Sequence, residues 1–385
     1  MNLAEIRAAV IGIGFVGQAH VEALRRLGVD VAAVVGSDPE RARVKAEAAN
    51  LPPVADSLET VLADPSIDVV HIATPNHLHT AQVKAVLAAG KHVVCEKPLA
   101  TTASETAELT ACATSSGLVA AVCFNLRFYP INHEMAARVR SGSIGAPRLV
   151  TGSFLQDWLL LDTDWNWRLD PSAGGQLQVL GDIGSHWLDL ARFVTGQDVV
   201  EVMADLHTFV PVRRRPSGPV ETFAAAGDGE TTPVEVNGDD AATVLLRFAD
   251  GARGAMHVSQ VAAGHKNSLN LEIHGAADSL SWTSESPDDL WIGHRGRSNE
   301  RIQRDPSSLD PSAAAITTYP VGHVEGYGDT FRGMFSRVYA HIAAGQPPSE
   351  PDYPTFSDGH DALLVTEAIA RSHKSQQWEP VARED

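Results

Sequence analysis

The first 125 residues alternate between short apolar runs and stretches whose apolar positions recur at helical spacing. Ile6–Ile11 has strand length, and Val16–Leu27 carries the three-to-four-residue period of a half-buried helix. Val31–Val35 then reads as strand and Pro39–Ala49 as helix. Asp68–Ala73 and Thr80–Ala89 repeat that pair, and His92–Cys95, Ser104–Ser115 and Val119–Phe124 follow as strand, helix and strand. Strands that are apolar throughout, separated by helices, predict a parallel sheet covered on both faces, with right-handed connections.

The pattern changes after about residue 125. Strand-like runs lengthen and crowd together at Pro147–Leu155, Val199–Val210, Ala241–Phe248, Ala252–Gln260 and Ser268–His274. The segment LLRFADGARGAMHV predicts a hairpin turning at Asp250-Gly251. Pro211–Asp240 and Arg295–Pro320 are polar and read as loops, and Tyr327–Ala344 and Ser357–Ser372 return to helical periodicity. The expected class is α/β. A dinucleotide-binding domain spans residues 1–125, and an α+β domain with a large, mostly antiparallel open sheet spans 126–385. The C-terminal helices are expected to pack back on the first domain.

Composition narrows the function. The 385 residues carry 30 Lys and Arg against 48 Asp and Glu, a net charge of -18. Such a chain repels phosphate backbones and anionic lipid, which disfavours nucleic-acid and membrane-surface roles. The longest apolar stretches, such as Leu118–Phe124, are far short of the roughly twenty residues that span a bilayer. The N-terminus lacks the basic, apolar and small-residue order of a secretory signal. Cys95, Cys112 and Cys123 show no metal-ligand spacing and read as reduced thiols of a cytoplasmic protein.

Three motifs bear chemistry. Gly12-Ile13-Gly14-Phe15-Val16-Gly17 follows an apolar strand and opens a helix, the order a dinucleotide pyrophosphate requires. Downstream, the strand Val31–Val35 ends in Gly36-Ser37-Asp38, where an acid normally holds the NAD ribose. Asp38 is placed to hold that ribose or to cap the next helix, which has Pro39 in its first turn. Ser37 and Arg41 are placed to admit a 2′-phosphate, and Arg41 is equally a solvated helix residue. The cofactor is therefore NAD or NADP. The second motif is Cys95-Glu96-Lys97-Pro98 at a strand's carboxyl end, where ligands of parallel sheets bind. Lys97 is a candidate proton-handling group, with Pro98 fixing the turn, as a cis peptide among the options. The third is Gly181-Asp182-Ile183-Gly184-Ser185-His186-Trp187-Leu188-Asp189. Asp182 and His186, four apart, share one face of a helix. Oxidising a carbinol also removes its hydroxyl proton, a task that suits histidine. A capping aspartate beside a core histidine is the bland alternative.

Together these motifs resemble the Gfo/Idh/MocA family of NAD(P)-dependent oxidoreductases over essentially the whole chain. The run Ala73-Thr74-Pro75-Asn76-His77-Leu78-His79 and the residues Asn125 and Arg127 add to the likeness. The resemblance implies an N-terminal Rossmann domain, a second domain on an open sheet that makes oligomer contacts, and chemistry on sugars or cyclitols. It implies that Lys97, Asp182 and His186 form the catalytic set. His186 would exchange the proton, Lys97 would bond the reacting hydroxyl, and Asp182 would bind substrate. It places Gly12, Gly14, Phe15, Val16, Gly17, Ser37, Asp38, Arg41, Thr74, Asn76, His79, Glu96 and Lys97 at the cofactor. Two departures stand out. The glycine cluster before the third motif is stretched through Gly174-Gly175-Gln176-Leu177-Gln178-Val179-Leu180, and Gly36 replaces the usual ribose acid.

Trp158, Trp165, Trp167 and Trp187 crowd around the third motif. An indole suits the C–H face of a pyranose, and equally a core, which is the expectation for Trp187. Asn125, Arg127, Asp157, Trp165, Trp167 and Arg168, with Asp182 and His186, make the candidate substrate set. Arg213-Arg214-Arg215 reads as a solvated charge run, with capture of an anionic substituent as the other option. His77 and His79, two apart, give no metal pair, and no metal is expected. The leading expectation is an oxidoreductase moving hydride between nicotinamide and a secondary hydroxyl or ketone of a sugar, glycoside or cyclitol. It is cytoplasmic and a homo-oligomer, dimer or tetramer. The alternatives are an NAD-dependent glycoside hydrolase that oxidises, eliminates, hydrates and re-reduces the ring, and a non-catalytic sensor on the same scaffold.

Overall fold

The structure, a computed structural model, describes residues 2–175, 177–218, 220, 229–345 and 347–383. Gln176 and part of the segment read as the loop 211–240 lie outside the described residues. The chain divides into two compact units, Met1–Asn125 with Gly328–Leu363, and Leu126–Tyr327 with Leu364–Asp385.

In the first unit β1 (Arg7–Ile11), β2 (Asp30–Val35), β3 (Val69–Ile72), β4 (His92–Cys95) and β5 (Ala120–Val122) form a parallel sheet in the order β2-β1-β3-β4-β5. The apolar strands are buried as their composition demands: Ala8–Val10, Val69–Ile72 and Val93–Cys95 are shut from solvent. Helices α1 (Phe15–Leu27), α2 (Pro39–Ala48), α3 (Leu58–Ala63), α4 (His79–Ala88) and α5 (Ala103–Ser116) connect the strands. Their ends are written in sequence. Gly28 and Gly117 close α1 and α5 in the left-handed conformation, and Thr102 with Glu105 forms a capping box. Helix α3 is an addition to the sequence reading: six residues are too few to display a period, and Ser57 caps it. The sheet order reverses next to β1, which makes the carboxyl ends of β1 and β3 the switch point where ligands bind.

In the second unit nine strands form a sheet. They are β6 (Pro147–Leu155), β7 (Val199–His207), β10 (Ala241–Phe248), β11 (Arg253–Ser259), β12 (Ser268–Gly275), β13 (Asp278–Thr283), β14 (Asp289–His294), β15 (Glu300–Gln303) and β16 (Glu379–Pro380), in the order β15-β14-β13-β12-β6-β11-β10-β7-β16. Every pairing is antiparallel except β6 with β11. The hairpin between β10 and β11 turns at Gly251, whose φ is 96°. One face of the sheet packs under α6 (Pro130–Arg140) and α8 (Ser185–Thr195), which the one-turn α7 (Pro171–Gly174) separates in sequence, burying Val150, Met256, Leu271, Trp282 and Trp187. Each such side chain contributes about 1.5–3 kcal/mol of burial free energy. The other face lines up Leu245, Ala255, Thr151, Glu272, Ser281 and Trp291 in one register row.

Two loop expectations are corrected. Within 211–240, β8 (Val212–Pro216) and β9 (Thr231–Glu235) pair as a separate antiparallel ribbon. Within 295–320 lie β15 and a one-turn helix, α9 (Pro311–Ala314). The ribbon's charged sequence hid it, because a buried ion pair rather than an apolar face holds it. Arg213 is fully buried, donates 2.8 Å to Asp240, and reaches the carbonyls of Leu159 and Leu161. Arg213 is therefore no part of a solvated charge run. Arg214 is exposed beside Asp162, and the Arg215 guanidinium lies 5.5 Å from the Trp165 ring. The last helices are α10 (Tyr327–Ala344) and α11 (Phe356–Ser375).

Candidate active site

Gly12 leaves β1 at φ 96°, where a side chain is strained. A Cβ at Gly12 would lie 2.3 Å from the Ala73 carbonyl oxygen, and one at Gly17 would lie 1.9 Å from the Gly12 carbonyl oxygen. These glycines let the turn press against the end of β3 and let α1 start against the turn. Gly14 differs. Its φ of -66° suits any residue, and a Cβ there meets no protein atom within 4 Å. Nothing inside the protein calls for glycine at 14, whereas a ligand approaching the backbone does. Gly14 is also the N-cap of α1, no side chain caps that helix, and its first turn, opened by Phe15 and Val16, holds no acid. A helix N-terminus left in this state favours an anion. These residues fit a dinucleotide pyrophosphate.

At the tip of β2 a Cβ on Gly36 would lie 2.7 Å from the Ala42 Cβ and 3.3 Å from the Ile13 Cδ1. Close packing thus excludes a ribose-binding acid at that position. Ser37, Asp38 and Arg41 are exposed, and Asp38 accepts the Arg41 N–H at 2.8 Å as the cap of α2.

The loops after β3 and β4 are tied together. The Thr74 hydroxyl donates to Gln82 at 2.6 Å, and Asn76 is buried in a short 3-10 turn, Asn76–Leu78. His79 is fully buried, with its two ring nitrogens 2.9 Å from the carbonyls of Pro98 and Thr74. Burial lowers its pKa, against the raising effect of both carbonyls. Lys97 is half-buried, joins Pro98 through a cis peptide, and donates its backbone N–H to the Glu96 carboxylate at 3.1 Å.

In the second unit the acid and the imidazole sit where a π-helical turn, Leu180–Gly184, runs into α8. The sequence predicts Asp182 and His186 on one α-helical face; instead the interval crosses from a wider turn to an α turn. Asp239 holds the entry to this turn. Its carboxylate accepts the N–H groups of Gln178 at 2.7 Å and Leu180 at 3.0 Å, and its carbonyl accepts that of Val179 at 3.2 Å, so the entry to the turn is anchored from outside the helix. Both oxygens of Asp182 are held, one by Arg168 Nε at 3.1 Å and the other by Gln260 Nε2 at 2.7 Å. His186 is half-buried, its ring 6.4 Å from that of Phe154. The next residue, Trp187, is fully buried and donates to the Asn270 carbonyl at 3.0 Å. Gln260 and Asp239 escaped the sequence reading. They act across 78 and 59–61 residues, and neither stands in a local pattern.

Other candidates are engaged within the protein. Asn125 donates to Thr330 at 2.7 Å in the first unit. In the second, Arg127 grips Asp189 through Nε at 2.8 Å and lies 5.3 Å from the Phe193 ring. Asp157 accepts from the Gly264 N–H at 3.0 Å and from Lys266 at 2.7 Å, and the Lys266 hydrogen bond lowers its pKa. Trp165 and Trp167 line an open recess of about 470 Å³ with Asp170, Arg215 and Ser217, and Arg168 lies 4.4 Å over the Trp167 ring. Arg168 thus joins the recess to Asp182.

Burial pushes the Asp239 carboxyl up to about 6, outweighing its backbone donors. An acid whose folded pKa exceeds its unfolded value, about 3.9, favours folding while protonated. That contribution is complete below about pH 4 and is lost as pH rises through about 6, a change of roughly 3 kcal/mol. Replacement by Asn removes it. Relative to the parent, the Asp239→Asn variant should therefore gain Tm between about pH 4.5 and 7.5 in calorimetry. An unchanged difference between the two proteins across that range would refute the assignment.

A glycine turn fitted to pyrophosphate at a parallel-sheet switch point defines a dinucleotide-binding fold, and the family match makes it that of an NAD-binding oxidoreductase. Residues 6–124 match the model of the oxidoreductase family with an NAD-binding Rossmann fold, and residues 132–281 match that of the GFO/IDH/MocA C-terminal domain. The chain belongs to the Gfo/Idh/MocA oxidoreductase family. It is similar to levoglucosan dehydrogenase of Pseudarthrobacter phenanthrenivorans, 31% identical with 97% of each chain covered. A levoglucosan dehydrogenase solved in complex with NADH and L-sorbose superposes with a TM-score of 0.87 at 29% identity, covering 98% of this chain and 99% of that one. An oxidoreductase domain protein from Kribbella flavida gives 0.88 at 31% identity, covering 99% and 100%. Among the described residues no helix is long and apolar enough to cross a membrane.

Proposed function

We propose that the protein is a dehydrogenase or reductase of a secondary hydroxyl or ketone on a sugar, anhydrosugar or cyclitol. The observation that carries this reading is the Asp182 carboxylate, fixed through both oxygens by Arg168 and Gln260 one turn ahead of His186. When bound, the nicotinamide supplies or takes the hydride. His186 exchanges the hydroxyl proton, Asp182 accepts a bond from substrate, and the Lys97 ammonium donates to the reacting oxygen. Trp165 and Trp167 offer apolar faces to the ring. With Gly36 closed to an acid and Arg41 exposed, the ribose end admits NADP as well as NAD.

The glycosidase reading has no support among the named relatives, which are levoglucosan dehydrogenases and an oxidoreductase domain protein. A panel of sugars, anhydrosugars, cyclitols and glycosides with NAD and NADP separates the readings. We expect stoichiometric reduced cofactor with an anhydrosugar or sugar. Aglycone release without cofactor turnover would overturn the assignment. The outward sheet face exposes Leu149, Leu245 and Trp291, so the same preparation should elute as an oligomer rather than a monomer.

A further inference from the structure

The first unit buries a chain of polar side chains that the reaction does not use. Tyr339 Oη lies 2.8 Å from His71 Nε2, His71 Nδ1 lies 3.0 Å from His20 Nδ1, and His20 Nε2 lies 3.0 Å from Glu96 Oε1. The three residues come from α10, β3 and α1. His20, His71 and Tyr339 are fully shut from solvent, and the two imidazoles pack against the rings of Phe331 and Phe335. The chain ends on the residue that accepts the Lys97 backbone N–H.

The order of its protons follows from counting donors. A carboxylate only accepts, so His20 Nε2 carries a hydrogen toward Glu96. With both rings neutral each carries one N–H, so His20 Nδ1 accepts, and His71 Nδ1 donates to it. His71 Nε2 then accepts, and the Tyr339 hydroxyl donates to it. Every link holds one proton, and all point toward Glu96. Burial, and then the nearness of His20, drives the His71 pKa well below its usual value, which agrees with a neutral ring. Burial likewise keeps the Tyr339 hydroxyl protonated. Glu96 is raised by burial, yet hydrogen bonds from His20 and Cys123 and the nearby Lys97 charge bring it below the usual carboxylate value. His20, Glu96 and Cys123 are metal-ligand types with atoms within 4.8 Å of one another, but their hydrogen bonds already use those atoms.

We propose that Tyr339, His71 and His20 are positioning residues, a directional hydrogen-bond relay that fixes the Glu96 carboxylate and, through it, the Lys97 backbone. The inference rests on the role proposed for Lys97. An unoriented Glu96 would release the Lys97 N–H and let the ammonium wander, which lowers turnover without touching the pyrophosphate turn.

Nitrogen-15 NMR of histidine-labelled protein tests the relay directly, because imidazole shifts report which nitrogen carries hydrogen. His71 should read as a neutral Nδ1–H ring and His20 as a neutral Nε2–H ring. In kinetics, His71→Ala should lose about tenfold in kcat, the worth of one buried hydrogen bond, with KM for cofactor unchanged. His71→Asn, whose amide nitrogen replaces Nδ1, should recover most of that loss. Tyr339→Phe keeps the ring packing, serves if His71→Ala does not fold, and should lower kcat about threefold. A cationic or Nε2–H His71, stoichiometric bound metal, or unchanged kcat in folded His71→Ala or Tyr339→Phe overturns the proposal. Full turnover by Lys97→Ala would overturn the role of Lys97 instead, while the nitrogen shifts read the relay independently.

Discussion

Replacing His186 with Asn should lower kcat about a thousandfold and leave NADH binding intact, the effect of deleting a general base. Asp239 anchors residues 178–180, Trp187 is pinned to Asn270, and Leu188 and Leu190 are in the core, so the backbone at 186 is held from both sides. An Asn at this half-buried position disturbs none of those contacts, so the lost rate reports chemistry rather than folding. A hydride leaving a carbinol without a base nearby must leave a protonated carbonyl, and that is where the barrier rises. Lys97→Met should act in the same direction through the oxygen. Stopped-flow absorbance of the reduced cofactor measures the step, and fluorescence titration measures NADH binding. Turnover within a few-fold of the parent in His186→Asn would remove His186 from the reaction.

How much of this was legible in the sequence depended on how local the cause was. Ala241–Phe248 could be bounded to the residue because its apolar positions alternate and one face is buried. The glycine turn was legible because each of its constraints, φ at Gly12 and contact at Gly17, falls within one supersecondary unit. Helix α3 was too short to show a period, and β8 was hidden because Arg213 is held by Asp240, 27 residues on. The same holds at the site. Asp182 and His186 were singled out by their spacing and by the family resemblance. The π turn between them, and Gln260, whose amide sets the Asp182 carboxylate, were not, since tertiary hydrogen bonds impose no period on a sequence. The relay behind Glu96 is the extreme case, with Tyr339 268 residues from His71.

Changing Gly17 to Ala should weaken NADH binding and cost a large part of the first unit's stability, whereas changing Gly14 to Ala should weaken only the binding. The distinction lies in what each new methyl group meets. At Gly17 it would sit 1.9 Å from the Gly12 carbonyl oxygen, a backbone atom that cannot turn aside, so α1 must shift away from β1 and the buried Val21 and Leu24 shift with it. Overpacking of this kind costs about 1–3 kcal/mol or more. At Gly14 the methyl group meets no protein atom and the backbone is unstrained, so Tm should stay within about 2 °C of the parent. A phosphate drawn to the α1 N-terminus must approach that same backbone, and a methyl group there would weaken NADH by about tenfold or more. Calorimetry and fluorescence titration on the two variants separate the roles. If Gly14→Ala bound NADH like the parent, the pyrophosphate would have to lie elsewhere, and the switch point between β1 and β3 would lose its claim to the cofactor.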